Sequence, residues 1–363
     1  MHERVSIIIP TYNEAENIRA IVPKISEVFN KHGIDGKIIV VDDDSPDGTW
    51  KVAEELGNQY PVKSVRRQGE RGLSSAVIKG FEYAEGDIIG FMDADFSHSP
   101  DQIIDLLQAF TLNNADLAIG SRYLDAGKIS KWPLRRRLAS WGATLLASPF
   151  TSIKDPMSGF VFFKKGVVEG VSLNPIGFKL GLEILAKGKY KRLKEVPIVF
   201  QNRLHGESKL TGKVIIEYLK QLWQLLWEVE TPVGQFMKFS LVGGTGLIVN
   251  MAVYSICIYL IHLHYLPSAI FSFAIAMSSN FLLNRTWTFR VRTVGAVREP
   301  PLLTFRKQYL RFALVCLMGL GINLFLLHLL HSVLGLHELL AQFLAVLSAT
   351  AVNFVGSKRW AFK

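Results

Sequence analysis

Apolar and polar positions follow two different patterns along this chain, and the change falls near residue 235. Before it, short apolar runs are separated by mixed segments. Residues 4–10 (R-V-S-I-I-I-P) read as a buried strand, followed by a loop at Thr11-Tyr12-Asn13-Glu14 and a helix from about Glu16. Continuous runs of this length fit strands covered on both faces. Residues 37–41 predict a second strand ending in Asp42-Asp43-Asp44-Ser45, and residues 87–92 a third ending in Asp93-Ala94-Asp95. Helical spacing recurs over 48–56 and 73–83. Strands alternating with helices predict a parallel α/β sheet. Such sheets bind ligands beyond the carboxyl ends of their strands, where the acidic clusters of this chain fall.

Past residue 235 the pattern is almost wholly apolar. No Asp, Glu, Lys or Arg occurs in 239–284, 312–337 or 339–357. A membrane helix needs about 20 apolar residues, so the first run predicts two spans and the others one each. They fall at about 239–261, 266–284, 312–333 and 339–357. This half also repeats itself at an offset of 73 positions, as from Asn250 to Asn323. Lys238-Phe239 returns as Arg311-Phe312, Gly246 as Gly319, Asn280-Phe281 as Asn353-Phe354, Trp287 as Trp360 and Phe289 as Phe362. Both copies start on the same side, so the repeat is parallel. Asparagines in apolar helices are costly unless paired, which puts Asn250, Asn280, Asn323 and Asn353 between helices. Segment 213–227 is amphipathic: Val214, Ile215, Tyr218, Leu219, Leu222, Leu225 and Leu226 recur at helical spacing among polar residues. With Trp223 and Trp227 it suits either a membrane interface or packing on its own soluble domain. A weaker pattern covers 134–146, opening with Arg135-Arg136-Arg137.

Charge sharpens this picture. With 41 Lys+Arg against 31 Asp+Glu, the net charge is +10. No nucleic-acid module is evident, and the basic residues gather near the apolar segments, so an anionic membrane and phosphorylated ligands are the expected partners. Seven basic residues lie between the second and third spans, from Arg285 to Arg311, against one acid, Glu299. The positive-inside rule then puts the N-terminal domain, this loop and the C-terminus in the cytoplasm. The N-terminus runs straight into a strand, so no signal peptide is expected. Cys257 and Cys316 both fall in predicted spans and form neither a metal pair nor a disulfide framework.

The chemistry centres on Asp93-Ala94-Asp95. In an extended segment, residues i and i+2 point the same way, so both carboxylates can meet one hard cation. Mg²⁺ takes one or two carboxylates plus substrate phosphates and stabilises a departing diphosphate as a Lewis acid.

Six motifs, in order, carry a resemblance. They are P-T-Y-N-E (10–14), V-D-D-D-S-P-D-G-T (41–49), R-G-L-S-S-A (71–76), D-A-D-F-S-H-S-P (93–100), G-S-R-Y (120–123) and G-E-S-K-L (206–210). Together they resemble inverting glycosyltransferases of family 2 over about residues 4–230, and among them the polyprenyl-phosphate sugar synthases, closest to the dolichyl-phosphate mannose synthases. The stretch 280–289, N-F-L-L-N-R-T-W-T-F, is similar to GtrA-like membrane domains.

The resemblance implies a GT-A-type, Rossmann-like α/β nucleotide-sugar domain (1–210), an amphipathic interfacial helix and linker (211–235) and an all-α four-helix transmembrane domain (236–363). It implies transfer of mannose from GDP-mannose to dolichyl or another polyprenyl phosphate, with Mg²⁺ or Mn²⁺ and with inversion at the anomeric carbon. By position, Pro10, Tyr12, Glu14, Val41 and Asp43 match the nucleoside pocket. Asp93, Ala94 and Asp95 match the metal and diphosphate site; Ser97 stands where many relatives carry a glutamine metal contact. Arg122, Arg136 and Ser140 match the acceptor-phosphate site, and Lys179, Arg203, Ser208 and Lys209 a cluster closing over the donor. Asp93, Asp95 and Arg122 are the expected catalytic residues, and His98 is expected to be structural. Alternatives are a UDP-glucose:undecaprenyl-phosphate glucosyltransferase, sharing fold and site, and a non-enzymatic lipid-linked sugar translocator resting on the spans alone. A Gln-x-x-Arg-Trp motif, required of processive polysaccharide synthases, is absent.

Overall fold

The computed structural model describes residues 3–124, 128–129, 134–200, 212–289 and 302–363, with side chains for 3–124, 140–200, 212–289 and 305–363. The chain divides into two units, Met1–Val229 and Glu230–Lys363. In the first, β1 (Val5–Thr11) leads to α1 (Ala15–His32), β2 (Gly36–Asp42), α2 (Thr49–Leu56), β3 (Val62–Arg66), α3 (Leu73–Phe81) and β4 (Ile88–Phe91). There follow α4 (Ile103–Asn113), β5 (Leu117–Ser121), β6 (Lys128–Ile129), α5 (Leu134–Ala147), β7 (Val161–Lys164) and α6 (Leu180–Lys187). The unit ends with β8 (Leu193–Pro197), β9 (Val199–Phe200) and α7 (Gly212–Glu228).

Seven strands form one sheet in the order β3-β2-β1-β4-β7-β5-β8. It is mixed, which corrects the wholly parallel expectation: β7 runs antiparallel to both β4 and β5. An apolar run such as V-F-F carries no sign of its direction. The chain reverses because segment 155–160 enters β7 from the end of the sheet where the acidic clusters lie. The sequence expectation covers β1, β2 and β4 alone of these seven strands; the edge strand β3, a half-exposed V-K-S-V-R, offers no continuous apolar signal.

Helices cover both faces, so β1 is buried along its whole length. On one side Ile18, Ile21, Ile25 and Phe29 of α1 pack with α4 residues Leu106 and Phe110. On the other, Val77 of α3 and Leu180 and Ile184 of α6 pack on Ile8, Ile39 and Phe91. Gly90 of β4 faces Phe162 of β7, and a Cβ there would lie 2.4 Å from the ring.

Helix α7 has two apolar faces rather than one. Tyr218, Leu222 and Leu225 pack against Ala147 of α5 and Leu182 of α6, and the Tyr218 hydroxyl donates to the Ala143 carbonyl at 2.6 Å. Ile215, Ile216, Leu219 and Trp223 stay exposed, as do Trp141, Leu145 and Leu146 of α5.

The second unit holds α8 (Pro232–Ser255), α9 (Tyr265–Leu283), α10 (Leu302–His328) and α11 (Glu338–Gly356). Each continues through a wider, π-type turn, giving four helices among the described residues long and apolar enough to cross a membrane. They are Pro232–Leu260, Tyr265–Thr288, Phe305–Val333 and Glu338–Ala361. The first and third begin before the charge-free runs, since Lys238 and Arg311 lie within the helices near their ends. Pro232 opens α8 behind Thr231, whose hydroxyl accepts the Gly234 N–H at 3.0 Å, an N-cap arrangement.

The repeat folds as two similar hairpins. Asn280 lies against Gly246, and Asn353 against Gly319; a Cβ on either glycine would fall 2.3 Å or 2.1 Å from the amide. The hairpins meet through phenylalanines from both copies. Phe289 stacks on its counterpart Phe362 at 4.9 Å, while Phe281–Phe362 (5.6 Å) mirrors Phe289–Phe354 (6.0 Å). Phe281–Phe312 and Phe239–Phe354, both 5.7 Å, form another mirrored pair. Exchanging the copies exchanges the contacts, which is the signature of a pseudo-two-fold arrangement.

Candidate active site

Three consecutive aspartates leave β2, and each meets a different partner. Asp42, fully buried, accepts the Ser45 N–H at 2.9 Å and the Ser45 and Thr11 hydroxyls at 2.5 and 3.0 Å. It ties the ends of β1 and β2 together. Asp44 pairs with Arg66 at 2.5 Å, and that guanidinium lies over the Trp50 ring. Asp43 takes two N–H donors from buried Arg67 on Oδ1, at 2.5 and 2.8 Å, and the Gly72 N–H on Oδ2 at 2.7 Å. Arg67 reaches onward to Glu70, Ser75 and the Gly72 carbonyl at 3.0–3.1 Å. One guanidinium therefore holds segment 70–75 against the end of β2. The neighbouring Arg71 lies over the Tyr12 ring at 4.5 Å, and Glu14 accepts from Asn17 at 2.5 Å. Pro10 and Val41 are buried, so they shape this wall from below.

Asp93 and Asp95 follow the end of β4. Asp95 is buried, and its Oδ1 accepts the Ser97 N–H at 3.0 Å. Ala94 is buried in the core. Ser97 is buried, and its hydroxyl has no hydrogen-bond partner among the described residues. Gly159 faces Asp93: a Cβ there would stand 3.4 Å from the carboxylate. Two carboxylates and an unpaired hydroxyl are hard oxygen donors of the kind a divalent cation takes beside substrate phosphates. No group of three or more His, Cys, Asp or Glu suited to a metal occurs among the described residues.

Beyond β5, Arg122 forms a fork with Asp155. Nε–H and Nη2–H donate to the two carboxylate oxygens at 2.7 Å each, and the Arg122 backbone N–H adds a third bond at 3.0 Å. The guanidinium lies over Phe200 at 5.3 Å and Tyr123 at 5.7 Å. Lys179, at the start of α6, is held below the ordinary lysine range by burial and then by Arg122, opposed by Asp155 and Asp93. All four groups thus lie within electrostatic reach of one another. Burial, then Arg122, pushes His98 down to about 4. The neutral ring stacks on Phe160 at 5.0 Å and meets Phe200 edge-on at 5.4 Å. Tyr123 and Ser140 share a 2.6 Å hydroxyl contact, which brings α5 to this side.

Of the expected residues, Arg122 and Lys179 lie within electrostatic reach of Asp93, Asp95 and Ser97 share a hydrogen bond, and Tyr12 and Asp43 both meet segment 71–72. Arg203, Ser208, Lys209 and the side chain of Arg136 lie outside the described residues. Arg67 and Asp155 are missed by the sequence reading. For Asp155 a signal existed, the D-P-M-S-G-F run of 155–160, which interrupts apolar sequence with Asp, Ser and Gly.

Residues 6–171 match the family described as Glycosyl transferase family 2, and residues 238–362 match the GtrA/DPMS transmembrane domain. A dolichol-phosphate mannosyltransferase of Pyrococcus furiosus is 42% identical over 360 residues, 97% of this chain and 97% of that one. The chain belongs to the dolichol-phosphate mannosyltransferase family. The Saccharomyces cerevisiae dolichol-phosphate mannosyltransferase is 40% identical over 231 residues, 61% of this chain and 86% of that one. Among solved structures, glucosyl-3-phosphoglycerate synthase from Mycobacterium tuberculosis covers 62% of this chain and 80% of its own, at 19% identity and a TM-score of 0.46. Family membership accounts for both units: a GT-A α/β domain, then four apolar helices of a membrane protein.

Proposed function

We propose that this chain transfers mannose from GDP-mannose to the phosphate of dolichol or another polyprenol, inverting the anomeric carbon. The carrying observation is the 42% identity to a dolichol-phosphate mannosyltransferase, which runs through both units. The site agrees with it chemically. Tyr12, Glu14 and Asp43, on the buried floor of Pro10 and Val41, receive the nucleoside, with Arg67 holding Asp43 in place. Asp93, the Ala94 backbone, Asp95 and Ser97 face the diphosphate. Mg²⁺ or Mn²⁺ held by Asp93, Asp95 and Ser97 would supply Lewis-acid charge to the leaving diphosphate.

Arg122, with Ser140 and Arg136, receives the acceptor phosphate, and Lys179, with Arg203, Ser208 and Lys209, closes over the donor. A guanidinium suits this task because its planar fork matches phosphate oxygens. A lipid phosphate is already anionic near neutral pH, so the reaction needs no strong general base. His98, neutral and enclosed by Phe160 and Phe200, is left to packing. The work of the chain is to bring two anionic partners together and align them, and alignment alone lowers a barrier substantially.

The exposed apolar faces of α5 and α7 suit the bilayer interface, where Trp141 and Trp223 present ring bodies to lipid. By the positive-inside rule, the basic excess between the second and third spans supports a catalytic domain and both termini on the cytoplasmic side. Radiolabelled GDP-mannose and UDP-glucose, each offered with purified polyprenyl phosphates, test the proposal. Mannosyl lipid of β configuration from GDP-mannose is expected. Glucosyl lipid from UDP-glucose would replace the donor assignment, and no lipid product from either would remove the activity.

A further inference from the structure

We infer that Asp155 is a positioning residue for transfer, acting by fixing the pose of the Arg122 guanidinium. The inference rests on Arg122 meeting the acceptor phosphate. Asp155 is completely buried and Arg122 nearly so, at 0% and 10% side-chain exposure. A buried guanidinium is costly unless it is paired and hydrogen-bonded, and this pair supplies three charge-assisted bonds from one residue to one carboxylate. Two bonds on the Nε/Nη2 edge fix both the plane and the in-plane rotation of the guanidinium, as a single contact would not. Phe200 and Tyr123 limit its tilt from the faces.

The backbone that carries this carboxylate is itself anchored. The Lys154 and Asp155 N–H groups both donate to Glu195 Oε1, at 2.9 and 3.2 Å. Four residues later the same segment brings Gly159 against Asp93, and Phe160 then stacks on His98. One short stretch therefore sets the aim of the arginine and the space beside the first aspartate of the metal pair.

The roles of aim and attraction can be separated. Asp155→Asn keeps the shape but turns an amide N–H toward an arginine N–H, so the fork cannot form. It also removes a negative charge, so attraction for an anionic acceptor does not fall. A positioning role therefore predicts a kcat about ten- to a hundredfold lower, with a KM for polyprenyl phosphate equal to or below that of wild type. The test uses the full-length protein and a two-by-two set: wild type, Asp155→Asn, Arg122→Lys and both changes, with GDP binding and melting measured on each.

Arg122→Lys keeps charge without the fork, so if Asp155 acts through Arg122, adding Asp155→Asn to it lowers kcat little further. Multiplicative losses in the double variant would overturn the inference, as would a kcat within twofold of wild type for Asp155→Asn alone. Loss of GDP binding together with early melting would assign Asp155 a general structural role and also overturn it. Full transfer by Arg122→Lys with unchanged acceptor KM would instead remove Arg122 from the acceptor site, a failure distinguishable from the others.

Discussion

Arg67 and Asp43 offer the sharpest test of how the proposed nucleotide wall is built. Their side chains are 3% and 7% exposed, and the guanidinium supplies both donors that Asp43 Oδ1 accepts. Arg67→Ala deletes those donors together with the contacts to Glu70, Ser75 and the Gly72 carbonyl. Among the described residues it leaves a buried carboxylate with the Gly72 N–H as its one remaining donor. Breaking a buried pair from one side costs about 3–5 kcal/mol, chiefly through the uncompensated charge. At about 2–4 °C per kcal/mol for a domain of this size, the first unit should melt about 6–20 °C lower. GDP binding should weaken as well, because segment 70–75 loses its tie to the end of β2. The deciding measurement is the double variant. If leftover charge is the cause, adding Asp43→Asn to Arg67→Ala removes it and raises the melting temperature above that of Arg67→Ala. A double variant less stable than Arg67→Ala, or an Arg67→Ala protein melting within about 1 °C of wild type, would refute the reasoning.

Other expectations follow from the same geometry. Asp95→Ala should abolish transfer, and it deletes the acceptor of the Ser97 N–H bond, a bond to a charged group that contributes about 1.5–3 kcal/mol; transfer that survives both this change and EDTA removes the metal. Gly90→Ala puts a methyl 2.4 Å from the enclosed Phe162 ring and should cost about 1–3 kcal/mol. Thermal melts should show partial recovery when Phe162→Leu is added. In the membrane unit, Gly246→Ala and Gly319→Ala should each destabilise by about 1–3 kcal/mol, since each meets an asparagine amide. The repeat predicts similar losses, and Asn280→Ala should relieve the first and leave the second unchanged.

Much of the architecture is legible in the sequence because its causes are local. β1 and β2 are covered on both faces through their middles, so Ile7–Ile9 and Ile38–Val41 are apolar without interruption. The spans are legible because a bilayer excludes charge over a whole helix length. The repeat is legible because the same contacts are made twice, and the mirrored phenylalanines show what the constant offset preserves. Where the cause is not local, the reading stops. The reversed direction of β7 is a property of its neighbours, and the edge strand β3 lacks the burial that would have marked it.

The site divides in the same manner. Asp43, Asp93, Asp95, Arg122 and Lys179 stand out because their motifs follow strand ends or occupy spacings that the family resemblance identifies. Arg67 and Asp155 do not, since each has its meaning from an opposite charge 24 or 33 positions away. The run Asp42-Asp43-Asp44 makes the reason plain. Three identical side chains in succession look interchangeable, yet one is consumed by hydroxyls, one by a buried arginine and one by an exposed ion pair. A carboxylate in a sequence announces a charge; only the group that cancels it decides whether that charge anchors a strand, holds a loop or aims an arginine. In this fold the cancelling groups come from the segments after β3 and before β7, which the sequence reading passes over. The candidate site residues therefore stand at the strand ends, and their supports in the connections between them.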